Sequence, residues 1–340
     1  MKIAILVSSF PSISETFIVN QITDLIDRGH DIKIFSFQKS ESVIVHEKII
    51  DYKLIEKTIY FQEFYVSKAT RFLPFLKFIK ERHNSINFYK LLKNFNFIKN
   101  GFRVLNLRFF YKFKWILNEE GFDIFHAHFG GNGAYLAEMK MAGFFPNIKL
   151  VTSFHGYDLT PSFLPDYKIK YKKLFLEGDL FTVNTEYTKS LLRQITTKGN
   201  LEILPVGLDT LEFKPRKRSS DKFHLLFVGR LVPLKAPALT VQILRLLIEK
   251  GYKNIKLTII GEGELLESLN KSIKKYKLEP FVKLTGALSQ KSVKKIMQNT
   301  DVLIMPGIYD KNNRAENQGL VIQEAQAMQL PVIVSDAGGM

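Results

Sequence analysis

The stretch KIAILVSSFPSISETFIVNQITDLIDRGHDIKIFSF (Lys2–Phe37) decides the fold class, because its hydrophobic period changes twice. Its opening residues form a short β-rich run. The middle carries apolar residues at helical spacing, with Ser12 and Glu15 placed as a capping box and Gly29 placed as the helix stop. The segment Asp31–Phe37 then alternates as a strand. A strand, a helix and a strand in this order predict an α/β fold with a parallel sheet.

The same alternation continues to about residue 208. Strand-like runs are GFDIFHAHF, IKLVTSFHG, LFTVNT and LEILPVG, and helices are expected near Asn132–Met141, Tyr167–Leu176 and Glu186–Gln194. A basic, Phe-rich region of helical pattern interrupts this order between about residues 66 and 118. We therefore predict a first doubly wound, Rossmann-like domain over residues 1–208.

A polar and basic segment, LDTLEFKPRKRSSDK, follows and suits a linker over residues 209–222. Strands and helices then alternate again, beginning with FHLLFVGRL and with PALTVQILRLLIEKG, which has Pro at its start and Gly at its end. This alternation predicts a second Rossmann-like domain over residues 223–340. Two such domains in tandem are expected to face a central cleft and to bind ligands at the carboxyl ends of their strands.

Composition excludes several kinds of chemistry. The chain of 340 residues has no cysteine, so it has no disulfide, thiol nucleophile or thiolate metal ligand. The apolar run at the N-terminus is short and lacks a small-residue cleavage pattern, which favours a buried strand over a secretion signal. No stretch approaches the roughly 18 uncharged apolar residues of a membrane span. We expect a cytoplasmic protein.

The net charge of +16 is distributed unevenly. Between Arg71 and Lys114 there are eleven Lys or Arg and one acid, Glu81, interleaved with Phe. Two compatible interpretations stay open: solvated helices that pack a Phe face on the core, and helices that lie on an anionic membrane surface. The second places the protein peripherally on the inner face of the cell membrane. Nucleic acid is not an expected partner, because no binding motif accompanies the charge.

Two acids lie on either side of a predicted helix start in RAENQGLVIQEA (Arg314–Ala325). If the helix begins near Gly319, the unpaired N–H groups at its start form a natural site for an anion such as a diphosphate. Glu316 then lies ahead of the helix and Glu324 inside it, and carboxylates are good acceptors for sugar hydroxyls. The ordinary alternative is that Glu316 is a helix N-terminal charge and that Glu324 is solvated.

Two cations follow another strand, in FVGRLVPLKA. Arg230 and Lys235 could neutralise a diphosphate and stabilise it as a leaving group, or they could be ordinary surface cations. The turn IIGEGE, which contains Gly263, also follows a strand, although many strand-to-helix turns look this way.

Taken together, these motifs resemble a known family. GRLVPLKA, IIGEGELLESL, LTGALSQKSV, DVLIMPG and ENQGLVIQEAQAMQLPVIVSDAGG have the order and spacing of the C-terminal half of retaining GT-B glycosyltransferases of the group 1, family 4 type. SSFPSISETFIVNQITDLIDRGHDI, FDIFHAHFG and SFHGYDLT resemble the branch that builds exopolysaccharide and colanic-acid-like chains. The resemblance covers nearly the whole chain, except for the basic, Phe-rich region.

The resemblance implies roles for individual residues. Glu316 would face the donor sugar and Glu324 the nucleotide ribose, while Arg230 and Lys235 would bind the donor diphosphate. His155 would line the pocket of the transferred sugar and completes the expected catalytic set with Glu316, Arg230 and Lys235. Further contacts with the donor are implied for Gly263, Asn317, Gln318, Gly319 and Leu320.

Three features depart from the family pattern. Gln329 stands where Gly is usual before the final strand, which implies a different turn or strain. Asn317 and Gln318 replace the usual Gly and apolar residue after the first Glu, which could change the sugar that is bound. The sequence stops at Met340, so we expect the family's last strand and crossover helix to be missing.

No metal is expected. His126 and His128 lie two apart on a predicted strand, hence on one face, which could suit a metal, but packing on the acceptor side is the preferred interpretation. The chain has no Asp-x-Asp motif that would clamp a nucleotide through a metal. Neutralisation of the donor would then come from Arg230, Lys235 and helix ends.

The sequence thus predicts a retaining glycosyltransferase. It would move a sugar from a nucleotide-diphosphate sugar, with UDP or GDP expected, to a hydroxyl of a lipid-linked glycan in surface polysaccharide biosynthesis, without a permanently bound cofactor. The alternative is a non-catalytic, membrane-associated protein that binds glycans or nucleotide sugars. A dehydrogenase would need a Gly-x-Gly-x-x-Gly turn after a strand, and neither domain has one.

Overall fold

The computed structural model describes residues 1–12, 16–40, 47–61, 71–82, 107–116, 119–145, 147–215 and 222–340. The chain divides into two compact units. The first comprises residues 1–158, 164–183 and 192–202, and the second comprises residues 159–163, 184–191 and 203–340. Glu15 of the predicted capping box, residues 83–106 of the basic region and residues 216–221 of the predicted linker lie outside the described residues. The predicted domain limits stay a prediction.

The first sheet has seven strands in the order β3-β2-β1-β4-β5-β6-β7. They are β1 (Lys2–Phe10), β2 (Asp31–Lys39), β3 (Thr58–Tyr60), β4 (Ile124–His128), β5 (Lys149–Phe154), β6 (Leu180–Val183) and β7 (Asn200–Ile203). Strands β1 to β6 pair in parallel. The helices along this part of the chain are α1 (Thr16–Asp27), α2 (Glu47–Asp51), α3 (Phe72–Arg82), α4 (Arg108–Phe113), α5 (Gly130–Met141), α6 (Leu164–Lys170), α7 (Lys172–Glu177) and α8 (Glu186–Ile195).

Helix α1 is held to this sheet by isoleucines one turn apart. Ile18 and Ile22 are 1% and 0% exposed and belong to one apolar cluster with Ile5 of β1 and Ile34 of β2. Full burial of a side chain of this size stabilises a fold by about 1.5–3 kcal/mol. The chain leaves the helix through Gly29, whose φ of 80° agrees with the predicted stop.

The second sheet has five strands in the order β10-β9-β8-β11-β12. They are β8 (Phe223–Val228), β9 (Ile255–Ile260), β10 (Val282–Leu284), β11 (Val302–Met305) and β12 (Val332–Val334), and all adjacent pairs are parallel. The accompanying helices are α9 (Pro237–Glu249), α10 (Leu266–Lys275), α11 (Gln290–Met297) and α12 (Leu320–Ala327). The predicted architecture of two doubly wound, Rossmann-like sheets is confirmed.

Each sheet reverses its strand order once, between β1 and β4 in the first and between β8 and β11 in the second. In open α/β sheets, ligands bind outside the carboxyl ends of the strands at such a reversal. The residues that directly follow these strands are therefore the ones to inspect for a site in each unit.

One predicted helix is two helices in the structure. The pattern near Tyr167–Leu176 predicted a single element, but α6 and α7 are separated at Tyr171, whose φ of −94° and ψ of 6° leave the helical region. Tyr171 is 1% exposed, and its hydroxyl donates to Asp158 O at 3.1 Å. Burial of this large side chain, together with its hydrogen bond, fixes the break.

Gln329 keeps the backbone conformation that usually needs glycine. It follows α12 with φ 58°, in the left-handed region, and Leu330 N donates to Ala325 O at 2.9 Å across the helix end. A residue with a side chain costs roughly 1–2 kcal/mol in this region relative to the right-handed one. The sequence predicted either a different turn or strain at this position. The structure keeps the usual turn and strains the backbone of Gln329.

Gln329→Gly should therefore raise the free energy of unfolding by roughly 0.5–1 kcal/mol, because glycine adopts this conformation without strain. Gln326→Gly, on the exposed side of α12, is the control and should lower stability by about 1 kcal/mol. Urea unfolding of both variants and the parent protein measures the two changes. If both substitutions lower the free energy of unfolding equally, the backbone at Gln329 is not strained.

Candidate functional site

Four loops meet at the carboxyl edge of the second sheet, one after each of β8, β9, β11 and β12. Backbone hydrogen bonds join them: Leu231 N donates to Glu262 O at 2.8 Å, Ile308 N to Leu234 O at 2.8 Å, and Gly339 N to Glu316 O at 2.9 Å. These bonds bring together the side chains that the loops carry.

The loops after β8 and β9 approach so closely that only glycine fits between them. A Cβ on Gly261, which has φ 141°, would lie 1.9 Å from Gly229 O. A Cβ on Gly263 would lie 2.4 Å from Leu231 O. Packing therefore explains why position 263, which the resemblance assigned to donor binding, is glycine. Contact of Gly263 with a ligand is a separate matter and stays a prediction.

Lys235 and Glu316 form an ion pair at this edge. Lys235 Nζ lies 2.8 Å from Glu316 Oε2, and the two side chains are 14% and 16% exposed. Lys235 ends the short 3₁₀ turn Pro233–Lys235. Partial burial strengthens the attraction, because the local dielectric is lower than that of water. The sequence predicted both residues for one site, and the structure adds that they contact each other directly.

Arg230 lies on the same loop as Lys235. Its side chain is exposed, whereas the side chain of Lys235 folds over the neighbouring backbone, where a Cβ on Gly229 would lie 3.0 Å from Lys235 Cδ. The loop therefore carries one cation that is engaged with an acid and one that faces solvent.

Two glycines after β12 support the loop that carries Glu316. A Cβ on Gly338 would lie 2.2 Å from Glu316 O, and a Cβ on Gly339 would lie 1.9 Å from Asn317 O. These glycines end the sequence motif ENQGLVIQEAQAMQLPVIVSDAGG, but no role was predicted for them. Two consecutive glycines in the turn that follows a strand were the signal that could have revealed this close approach.

The start of α12 lies beside the ion pair. Gly319, which precedes the helix, has φ 63° and makes no side-chain cap, and a Cβ on it would lie 3.6 Å from Glu316 Cγ. The N–H groups of a first helical turn have no i−4 carbonyl within the helix and carry the positive end of the helix dipole. A cation, an acid and this helix start, at Leu320, are thus brought together.

Asn317 and Gln318 have protein partners within the second unit. Thr185 Oγ1 donates to Asn317 Oδ1 at 2.8 Å, and Thr188 donates to the same oxygen. The Gln318 amide pairs with both backbone groups of Val206, at 2.8 and 2.9 Å. These contacts tie the loop to other segments of the chain, a structural role that the sequence did not reveal.

Glu324 lies one turn inside α12 and is half-buried. Burial raises the pKa of its carboxyl group, while a hydrogen bond from Gln290 and the charge of Lys294, both on α11, oppose the shift. Glu324 is therefore held against α11. It is not the fully solvated residue that the alternative interpretation of the sequence expected.

In the first unit, the turn HGYD after β5 is fixed by Asp158. Its carboxylate accepts hydrogen bonds from Gly130 N at 2.7 Å, at the start of α5, and from His155 N at 3.0 Å. The side chain is 6% exposed, and burial raises the pKa of Asp158 to about 6 although these N–H groups favour the charged form. The carboxylate thus fixes the backbone of His155 relative to α5.

His155 contacts the two histidines of β4. His128 Nδ1 lies 3.0 Å from His155 Nε2, and His126 Nε2 lies 2.7 Å from Ser153 Oγ. Burial lowers the pKa of His126 to about 4 and that of His128 well below its usual value, so both rings are neutral near pH 7. The sequence showed only the spacing of the two histidines on β4 and missed their connection to His155.

Within the part of the chain that the structure describes, no group of three His, Cys, Asp or Glu side chains is arranged to hold a metal ion.

The fold is that of a GT-B glycosyltransferase, with two parallel, Rossmann-like sheets. The structure of Anabaena Alr3699/HepE in complex with UDP is similar, with a TM-score of 0.66 and 16% identity over 100% of this chain and 82% of that chain. Sucrose-phosphate synthase from Thermosynechococcus elongatus has a TM-score of 0.66 and 16% identity, and the match covers 99% of this chain and 82% of that chain. At these identities the similarity shows the fold alone.

The sequence model of Glycosyltransferase Family 4 matches residues 14–211, and that of Glycosyl transferases group 1 matches residues 209–340. The chain therefore belongs to glycosyltransferase family 4, as its motifs predicted. It is a glycosyltransferase, which favours the enzyme over the non-catalytic alternative.

Two curated relatives match along nearly the whole chain, and a third matches about half of it. The putative colanic acid biosynthesis glycosyltransferase WcaL of Escherichia coli (strain K12) is 27% identical over 98% of this chain and 82% of its own length. The amylovoran biosynthesis glycosyltransferase AmsK of Erwinia amylovora is 27% identical over 100% and 84%. A GDP-mannose-dependent mannosyltransferase of Mycobacterium tuberculosis (strain CDC 1551 / Oshkosh) is 28% identical over 56% of this chain and 52% of its own length.

A double-mutant cycle of Lys235→Met and Glu316→Gln should give a coupling energy of about 1–2 kcal/mol in unfolding, because each single change leaves a half-buried charge without its partner. The pair Lys271–Glu267 is the control, since its side chains are 75% and 80% exposed, and its coupling should stay below about 0.5 kcal/mol. Equal coupling in the two cycles contradicts the effect of burial.

Proposed function

We propose that this enzyme transfers a sugar from a nucleoside diphosphate sugar to a hydroxyl of a lipid-linked glycan during exopolysaccharide synthesis, with retention of anomeric configuration. Two relatives are named for colanic acid and amylovoran biosynthesis, which supports the pathway class. A similar structure is a complex with UDP, and another relative is named GDP-mannose-dependent, which supports UDP or GDP in the donor.

The ion pair of Lys235 and Glu316 is the observation that carries this proposal. A half-buried cation beside the exposed Arg230 and the start of α12 offers three sources of positive potential for one diphosphate. An acid lies in direct contact with that cation. A ligand that binds the cation and the acid together must carry phosphate oxygens and, close to them, hydroxyl groups. A nucleoside diphosphate sugar carries both kinds of group.

Each group then has a part in the reaction. Arg230 and Lys235 neutralise the diphosphate and stabilise it as it leaves, because charge develops on its oxygens in the transition state. Glu316 exchanges part of its contact with Lys235 for hydroxyls of the donor sugar and orients that sugar. Glu324 accepts hydrogen bonds from the ribose hydroxyls. Backbone groups of Gly263, Asn317, Gln318, Gly319 and Leu320 line the path of the donor.

Retention follows, in our proposal, from attack of the acceptor hydroxyl on the face that the diphosphate leaves, with the hydroxyl proton passing to an oxygen of the departing diphosphate. A double displacement would need a free carboxylate nucleophile on the opposite face of the sugar. Beside His155, Asp158 is buried and its oxygens accept N–H groups of Gly130 and His155, so it is unsuited to attack a sugar. His155 lines the sugar pocket, and no step requires a metal.

An anionic membrane surface is the proposed partner of the first unit. On α3, Phe72, Leu73 and Leu76 are 59%, 77% and 47% exposed, next to the solvated Lys77. Exposed apolar side chains flanked by lysines suit an interfacial helix. Among the residues that the structure describes, each helix is too short or too polar to span a bilayer.

Neighbouring helices extend this surface. Tyr111 of α4 donates to Arg71 O at 2.7 Å, which joins α4 to the start of α3. Glu138 of α5 pairs with Lys112 of α4 and with Lys173 of α7. The exposed Ile169, at 78%, lies among lysines at the end of α6. The apolar and basic character of α3 thus continues over the adjoining helices.

Glu324→Gln should weaken binding of the donor about tenfold or more, because a charged acceptor for ribose hydroxyls is lost. Thermal shift against UDP-, GDP- and ADP-sugars first identifies the nucleotide, and calorimetry then measures affinity. Glu267→Gln removes an acid that is 80% exposed and is the control. Unchanged affinity in the Glu324 variant would falsify the ribose assignment, and the absence of transfer from every nucleotide sugar would end the proposal.

Replacing Lys77, Lys80, Lys90, Lys93 and Lys99 with Gln should greatly reduce binding to vesicles with phosphatidylserine, since each lysine near such a surface contributes about 1 kcal/mol. The control removes the same charge from the second unit, at Lys253, Lys274, Lys275, Lys291 and Lys295, all exposed. Vesicle sedimentation measures both. If the first variant binds vesicles as well as the parent protein does, or if both variants lose binding equally, the membrane proposal is wrong. The helices of the basic region would then be solvated helices that pack a Phe face on the core.

A further inference from the structure

His128 lies between a buried strand and the residue proposed to line the sugar pocket. The rings of His126 and His128 stack with centroids 4.6 Å apart, and those of His128 and His155 are 5.3 Å apart with planes at 16°. A hydrogen bond of 3.0 Å joins His128 Nδ1 to His155 Nε2. The orientation of His155 is therefore linked to a side chain that is 1% exposed.

Because His128 is neutral, its hydrogen bond with His155 restricts which ring nitrogens carry the protons. Burial and the neighbouring His126 and His155 lower the pKa of His128 well below its usual value. A neutral imidazole has one N–H and one bare nitrogen. If His128 donates from Nδ1, then His155 accepts at Nε2 and, when neutral, carries its own proton on Nδ1. If His155 donates instead, the proton of His128 must lie on Nε2.

The surroundings of His128 Nε2 favour the first arrangement. This nitrogen is buried and has no hydrogen-bond partner among the residues that the structure describes. A buried donor without an acceptor costs about 1–3 kcal/mol, and orphaned N–H groups are rarer in proteins than acceptors with an unused lone pair. A bare Nε2 on His128 avoids such a donor and places the proton of the hydrogen bond on Nδ1.

Further contacts of His155 restrict its position. Its backbone N–H is held by Asp158 at 3.0 Å, and its ring contacts Phe17 and Phe129 with centroids 4.8 and 4.9 Å away. Aromatic contacts hold the ring in place but do not distinguish its two nitrogens from its carbons. A hydrogen bond to one nitrogen does, so the hydrogen bond with His128 favours one of the two ring orientations.

We propose that His128 is a positioning residue that donates from Nδ1 to His155 Nε2 and thereby fixes both the ring orientation and the tautomer of His155. With Nε2 engaged by His128, a neutral His155 carries its proton on Nδ1 and acts as a hydrogen-bond donor, not as a general base. The catalytic consequence rests on the proposed function, whereas the tautomer does not.

¹⁵N chemical shifts of the imidazole rings test the tautomer directly, in protein labelled at its seven histidines. The His155 signals, assigned through their loss in His155→Asn, should show a protonated Nδ1 and a bare Nε2 at pH 7.5. A protonated Nε2 on His155 would overturn the proposal. This measurement uses the parent protein and does not depend on whether any His128 variant folds.

Three variants test the consequence for the reaction. His128→Phe keeps a ring but removes the hydrogen bond, and should mix the tautomers of His155 and lower kcat about tenfold while the donor KM changes less than about twofold. His128→Asn places an amide N–H near the former Nδ1 and should recover much of the rate. Thr152→Val is the local control, because Thr152 Oγ1 is buried on the next strand without a partner among the described residues, and it should leave shifts and kcat unchanged.

The outcomes separate the two proposals. If transfer occurs and His128→Phe leaves kcat and the His155 shifts unchanged, the positioning role is wrong and the proposed function stands. If no nucleotide sugar supports transfer but the shifts show the expected tautomer, the proposed function fails and the arrangement of the histidines stands.

Discussion

Parallel pairing places the carboxyl ends of neighbouring strands at one edge of a sheet, and the candidate site residues of both units depend on this constraint. In the second unit, the loops after four strands contact one another at that edge through backbone hydrogen bonds. In the first unit, His128 ends β4 and His155 directly follows β5, the adjacent strand. The side chains come from distant parts of the sequence, and strand order alone makes them neighbours.

Charge burial gives these edges their chemical character. Lys235 and Glu316 are tolerated with little exposure because each neutralises the other. Asp158 is tolerated because backbone N–H groups surround it. His126 and His128 have no such partner charge and stay neutral instead. The same desolvation therefore yields an ion pair, a hydrogen-bonded acid and two neutral rings, according to the neighbours present.

Much of the fold could be predicted from sequence, because hydrophobic period and helix stops are local properties. The strand, helix and strand of Lys2–Phe37 and the helix start at Gly319 were both evident in this way. Contacts between separated segments were not. Nothing local indicates that Thr185 donates to Asn317, or that Gly339 lies against it. The break at Tyr171 was missed because burial of one ring outweighed a continuous helical pattern.

The contacts of Asn317 and Gln318 have a practical consequence for dissecting the chain. A fragment that begins at residue 209, where the second sequence model starts, would lack Thr185, Thr188 and Val206. The side chains of Asn317 and Gln318 would lose these partners, and the loop between β11 and α12 would be less restrained. Recombinant expression of that half alone would thus yield a sheet with an altered loop, and ligand affinities measured on such a fragment would not describe the intact enzyme.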